Sequence, residues 1–266
     1  AIDRNGLAHI DHRRDTIALH RLARIAVRAP LGAVEREELR RCAHQLIGSG
    51  GPGENSAEDH ERYADLLPHV WASRAWESED PRARRVVVTM CRLGTQRGQA
   101  PETIELSREA YPSWRADLGE EHPDTLAMAL YTSKALRVSG KPGESRKLCE
   151  STLEVLRRTV GEGSPDRLEA EHEHVRNLRV AGRFHASLEA AEEILDQRVR
   201  AFGEDDPQTL MMARSVAFNE LFTGDPSRAT RRYREVLERH EVVLGPDHGR
   251  TLGTRSGYAC QKVLIV

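Results

Sequence analysis

Cysteine is scarce in this sequence of 266 residues: Cys42, Cys91, Cys149 and Cys260 lie far apart and form no CxxC pair, so neither a zinc site nor a disulfide framework is indicated. That usage fits a reducing cytoplasm. No apolar run approaches the roughly 18 residues needed to cross a bilayer, and the stretch from Ala1 to Arg14 lacks the apolar segment of a secretory signal. A start at Ala1 without methionine reads as a processed or excised chain. An excess of one charge is missing too. The 40 Lys and Arg nearly balance the 42 Asp and Glu, leaving a net charge of -2 that argues against nucleic acid as a partner. There is no GxxxxGK[ST] loop to cradle phosphates, no GxSxG and no HExxH. Twelve histidines invite a metal search, but His172 and His174 are two apart and leave a helix on different faces. His9 and His12 flank a turn without ligand spacing. These absences predict a protein that is not an enzyme, with no catalytic residue, no metal and no cofactor.

What the chain does have is an internal period. Four segments align without a gap: 118–126 (LGEEHPDTL), 160–168 (VGEGSPDRL), 202–210 (FGEDDPQTL) and 244–252 (LGPDHGRTL). Gly119, Gly161, Gly203 and Gly245 recur with one spacing, and Gly140, Gly182 and Gly224 repeat it in phase. Two glycine series mean two turns, hence two helices, per unit. The first series ends a helix where a left-handed backbone is cheap for glycine. Ser164-Pro165 and Asp206-Pro207 then supply an N-cap oxygen and a proline at the first helical position. Ser145, Ser187 and Ala229 hold a small position where two helices approach closely. Leu126, Leu168, Leu210 and Leu252 recur, as do Leu153, Leu195 and Leu237, and Val160, Phe202 and Leu244. One helix pair cannot bury such a face alone, so stacking of pairs creates the core. The phase extends back to a worn unit over 81–118, with Thr103, Ser107, Tyr111 and Trp114 on its second helix. The fold class is all-α: a solenoid of four helix pairs over 81–266, plus a lone helix after Gly249.

Before the solenoid, Leu7 to Ile10 and Thr16 to Leu19 read as two strands around a turn at His12 to Arg14. An amphipathic helix starts near His20, with Leu22, Ile25 and Ala26 on one face. Residues 1–29 thus look like the end of a winged-helix domain. A connector over 30–80 follows, with helices near 35–47 and 57–76 and a flexible loop at 48–57 suggested by its Gly, Ser and Pro content. Residues 1 to 47 carry a small basic excess, which leaves a DNA-associated regulator working through the winged helix as the alternative function.

The period and its LGxxHPxTL loop resemble the kinesin-light-chain variety of tetratricopeptide repeat. The resemblance implies a scaffold that holds a protein or peptide. Repeat three departs from the family by placing Glu171, His174 and Asn177 where small or apolar residues are usual, which predicts a unit that is either loose or polar-networked. Residues 16–28 and 63–70 resemble the junction between the NB-ARC ATPase module and the repeats of bacterial STAND-type signalling proteins. That implies a sensor or autoinhibitory arm, with nucleotide bound only by an upstream module. On this resemblance His20 falls on a nucleotide-sensing histidine, although Arg21 stands where the family carries aspartate; the other reading of His20 is an ordinary cap.

In tetratricopeptide solenoids the first helix of each pair lines the groove, and counting back from the small positions sets its phase. The stripe is then Arg85, Val88, Arg92 and Thr95 in repeat one and Ala127, Leu130, Lys134 and Arg137 in repeat two. Repeat three adds Glu169, His172, Arg176 and Arg179, and repeat four Met211, Arg214, Phe218 and Leu221. Each set shares one helix face. The stripe is basic and turns apolar at its end, so the expected partner is an acidic segment with an apolar anchor near Phe218. The other reading of the same arginines is that they are solvated or pair with the next helix.

Overall fold

We describe a computed structural model over residues 7–12, 16–51, 57–97 and 100–264; of residues 16, 57–62, 95–97, 100–103 and 262–264 only the backbone enters. The chain divides into two compact units, Ala1–Val86 and Val87–Val266. This division falls inside a helix, rather than at 29/30 or 80/81.

In the first unit β1 (Ala8–Asp11) pairs antiparallel with β2 (Thr16–Leu19), with Ala8 opposite Leu19 and Asp11 opposite Thr16. The expected hairpin is present; residues 13–15 of its turn lie outside the described residues. Helix α1 (Arg21–Arg28) follows, capped by His20, whose Nδ1 accepts a hydrogen bond from the Leu22 amide at 3.3 Å. α2 (Ala33–Gly50) and α3 (Ala57–Ser73) come next. The expected loop at 48–57 is shorter than its composition suggests, because α2 continues through Gly50; residues 52–56 lie outside the described residues. Glycine at 48 marks a close approach rather than looseness: a Cβ there would stand 3.0 Å from the Ala83 amide nitrogen and from the Arg82 Cβ.

The helices that follow are α4 (Pro81–Arg97) and α5 (Ala100–Asp117), and then the packed pairs α6 (Pro123–Val138) and α7 (Pro142–Thr159), α8 (Pro165–Val180) and α9 (Phe184–Phe202), α10 (Pro207–Phe222) and α11 (Pro226–Leu244). The lone helix α12 (Gly249–Leu264) follows. Gly119, Gly203 and Gly245 adopt φ of +92°, +85° and +91°, as the helix-ending turn requires. Gly161 does not; there Val160 takes an extended conformation and closes α7 instead. Asp206 caps α10 through bonds from the Gln208 and Thr209 amides, whereas Ser164 makes no side-chain cap to α8, contrary to expectation. Histidine does this work elsewhere. His122 and His248 accept amide hydrogen bonds from Asp124 and Arg250 through Nδ1, each at 3.1 Å, which accounts for the histidine of the loop in those two units.

Packing within each pair rests on the small positions. Ser145, Ser187 and Ala229 are fully buried. Ser145 Oγ donates to the Ser133 carbonyl at 2.7 Å and Ser187 Oγ to the Val175 carbonyl at 2.9 Å, one bond repeated in successive units. Between them lie apolar layers: Leu126, Leu130, Leu153, Leu156 and Ala170 in one, Val175, Ala191, Ile194, Met212 and Val216 in the next. Of the recurring leucines, Leu252 on α12 is 46% exposed.

Repeat three is polar-networked. Ser145 Oγ lies 2.7 Å from Asn177 Oδ1, and the Asn177 amide reaches Ser133 Oγ at 3.4 Å, all buried. Glu171, only 3% exposed, binds Arg167 at 3.1 Å and Arg198 at 3.0 Å. Arg198 also donates to the carbonyls of Leu168 at 3.0 Å and Gln208 at 2.9 Å, so one guanidinium ties α8, α9 and α10 together.

Candidate functional site

The first helices of successive pairs lie side by side, α6 against α8, α8 against α10 and α10 against α12. Side chains at one phase of these helices therefore form a continuous strip. Of the residues that the sequence places on it, Leu130 goes instead into the core, at 2% exposure against Leu126 and Leu156. Arg85 is exposed and belongs to the first unit, Arg92 is half-buried, and the Thr95 side chain lies outside the described residues.

Lys134 and Arg137 are on the strip but are not free to meet a partner. Lys134 Nζ is paired with Glu169 and lies 4.7 Å from the centre of the Tyr131 ring. Arg137 Nε donates to Glu173 Oε1 at 2.7 Å, and that carboxylate is fully buried. Burial works to raise the Glu169 carboxyl, yet Lys134, with Arg176 adding, holds it below its ordinary value. For these two cations the pairing with the next helix is what the structure contains, so the strip is less basic than the sequence suggests.

One unit further on, the same arrangement fails to close. Arg176 and Arg179 occupy in α8 the positions of Lys134 and Arg137 in α6. The residues that answer Glu169 and Glu173 in α10 are Met211 and Ser215, and Ser215 spends its hydroxyl on the Met211 carbonyl. Among the described residues neither arginine makes an ion pair. Arg179 lies instead 4.3 Å over the face of Phe218. Phe218 stacks on Phe222, and Phe222 on Phe184, both with centroids 4.9 Å apart, which makes an aromatic shelf at the end of the strip. Arg214 joins the two arginines from α10. Burial, with Arg176 next, pushes Arg179 down to about 10, and burial also lowers Arg214.

His172 sits beneath these cations at 6% exposure, and its Nε2 meets no hydrogen-bond partner among the described residues. Burial, followed by Arg198 and Arg176, holds it down to about 3, with Glu169 opposing. Its folded value is depressed, so the unfolded chain takes up the proton first, and its contribution is complete above about pH 6.5 and lost as pH falls toward 3. We expect His172 to remove about 2 kcal/mol of stability between pH 7 and pH 5. Urea melts at the two pH values should show this loss and show it shrink in His172→Leu; an unchanged pH difference in the variant would refute the assignment.

His20 is engaged as the cap of α1, and no group of three or more histidine, cysteine, aspartate or glutamate side chains able to hold a metal occurs among the described residues. None of the described helices is long and apolar enough to cross a membrane. The aromatic shelf escaped sequence reading except at Phe218; Phe184 opens α9 and Phe222 closes α10, and the period does not relate the two.

Residues 125–166 and 209–249 match the tetratricopeptide repeat family. No curated protein matches the chain. Among solved structures, kinesin-light-chain-like repeats of Podosopora anserina superpose with a TM-score of 0.59 at 18% identity, covering 85% of this chain and 99% of that one. BtubC (BKLC) of P. vanneervenii does so with a TM-score of 0.53 at 12% identity over 86% and 87%. A thermophilic tetratricopeptide protein of Thermus thermophilus gives 0.50 at 15% identity over 86% and 99%. These two segments of the chain thus carry tetratricopeptide repeats, and the fold is a helical solenoid similar to that of kinesin-light-chain-like repeat structures.

Proposed function

We propose that the solenoid is a cytoplasmic scaffold that binds a protein or peptide along α8 and α10, and that the ligand is acidic with an apolar anchor settling on the shelf at Phe218. The observation that carries this reading is the contrast within one strip: Lys134 and Arg137 are paired with carboxylates of the next helix, while among the described residues Arg176, Arg179 and Arg214 make no ion pair and stand beside an aromatic surface. Exposed complementary charge steers and selects partners. On the resemblance of residues 16–28 and 63–70, we extend the reading to the recognition or autoinhibitory arm of a nucleotide-binding signalling protein; a phosphate-binding loop encoded upstream of Ala1 supports that extension, and a gene without one removes it.

Selection of displayed peptides against the chain should enrich acidic sequences that carry one large apolar residue. Reversal of Arg176 and Arg179 to glutamate should weaken the selected peptides by about tenfold or more, with binding falling as salt screens the charges. Reversal of Arg157 and Arg158 on α7 should change it less than about twofold, since Arg158 pairs with the exposed Glu121 at the surface. Equal effects from both pairs would refute the site.

A further inference from the structure

The unpaired arginines hold more charge than a single carboxylate can answer. Arg176 and Arg179 stand one helical turn apart on α8, and Arg214 approaches from α10 with its Nη1 directed at Gly253 on α12, where an added Cβ would stand only 3.0 Å away. The glycine at 253 thus leaves space for that guanidinium; Glu169, Ala127 and Met211 fill the same position in the other units. Tyr233, 2% exposed on α11, lies in the same field, and both Arg214 and Arg179 act on its hydroxyl. Glu169 and Glu173, on the same helix as Arg176 and Arg179, are paired with Lys134 and Arg137. His172 stays neutral beneath it. The result is that Arg176, Arg179 and Arg214 repel one another across α8 and α10, and among the described residues none of them makes an ion pair.

Resting on the groove proposed above, we infer that Arg176, Arg179 and Arg214 form a subsite for a dianionic phosphoryl group. A carboxylate brings one charge and two oxygens, which leaves most of the cluster unanswered. A phosphoryl group brings nearly two charges and three acceptor oxygens, and guanidinium forks match its geometry. The group sits where Arg179 stacks on Phe218, so an aromatic or apolar carrier next to the phosphoryl lies on the shelf.

Calorimetric titration of the full chain with phenyl phosphate, benzoate and inorganic phosphate, at one ionic strength, tests this. Phenyl phosphate should bind about tenfold or more tightly than benzoate at pH 7.5, and this preference should shrink at pH 5, where the phosphoryl group, with its second pKa near 6, carries a single charge. Arg179→Gln and Arg214→Gln should each weaken phenyl phosphate by about fivefold or more, while Arg157→Gln leaves it unchanged. Inorganic phosphate binding as tightly as phenyl phosphate identifies free phosphate as the source; preference for phenyl phosphate identifies a phosphoryl group borne on a larger ligand. Benzoate equal to phenyl phosphate, or no saturable binding of any probe, overturns the subsite. Selected acidic peptides that still depend on Arg176 and Arg179 in that case would show that the groove reading survives without it.

Discussion

Glu171→Ala should lower the unfolding free energy by about 3–5 kcal/mol, the usual cost of stripping one partner from a buried ionic cluster. Glu171 is the carboxylate that forms an ion pair with Arg198, with Asp206 and Glu169 acting from further away, and Arg198 is 2% exposed. Alanine at 171 leaves that guanidinium, and most of Arg167, in the interior. The neighbouring units show a different solution at the same three positions: Thr125, Ala129 and Leu156 in repeat two stand where repeat three has Arg167, Glu171 and Arg198. The triple variant Arg167→Thr, Glu171→Ala, Arg198→Leu should therefore fold and match the parent, or exceed it by about 1–4 kcal/mol. Denaturant melts of the single and triple variants decide the matter. A single variant as stable as the parent, or a triple variant as damaged as the single one, would refute this account of the cluster.

Arg137→Ala and Arg179→Ala make the second test, because the two arginines hold equivalent positions one unit apart. Loss of Arg137 abandons Glu173, which is fully buried, and should cost about 3–5 kcal/mol. Loss of Arg179 abandons no carboxylate and relieves repulsion from Arg176 and Arg214. Its cost should stay within about 1 kcal/mol, limited to the contact with Phe218. The same pair should rank in the opposite order for ligand affinity, with Arg179 the more damaging. Equal stability losses would mean that the strip is a uniform surface and not the interrupted one described above.

The architecture was legible because it is written redundantly. Two glycine series, the prolines that open α6, α8 and α10 and the recurring leucines all report one period, and helix pairs follow from that period with little help from tertiary context. The strip was legible only in its phase. That Lys134 is silenced and Arg176 is not depends on which residue the next helix presents 35 positions later, Glu169 in one case and Met211 in the other. Period-by-period alignment shows which residues are equivalent but does not show which ones touch. The offset that matters is set by how one pair rotates over the last. Leu130 shows the same limit. Its spacing fits the strip, but α6 is buried around most of its circumference, so the residue turns inward. His122 and His248 as caps were within reach of the sequence, since a histidine before the first turn can accept an amide hydrogen as an aspartate does.

Repeats of one length and one loop run the risk of stacking out of order, since a unit that skips its neighbour finds an equally shaped surface one period away. The pairs between α6 and α8 act as an address against that error. A slip of one unit would set Lys134 and Arg137 against Met211 and Ser215, burying two cations without an answer and stranding Glu169 and Glu173 elsewhere. Misassembly is a characteristic failure of repeat chains, and at this junction it carries an electrostatic penalty of several kcal/mol. At the junction that follows, the described residues hold no ion pair between α8 and α10, and its pairs between the second helices, such as Arg228 with Glu192, are exposed, so early intermediates with α10 and α11 docked in the wrong place should outnumber those with a misplaced α8.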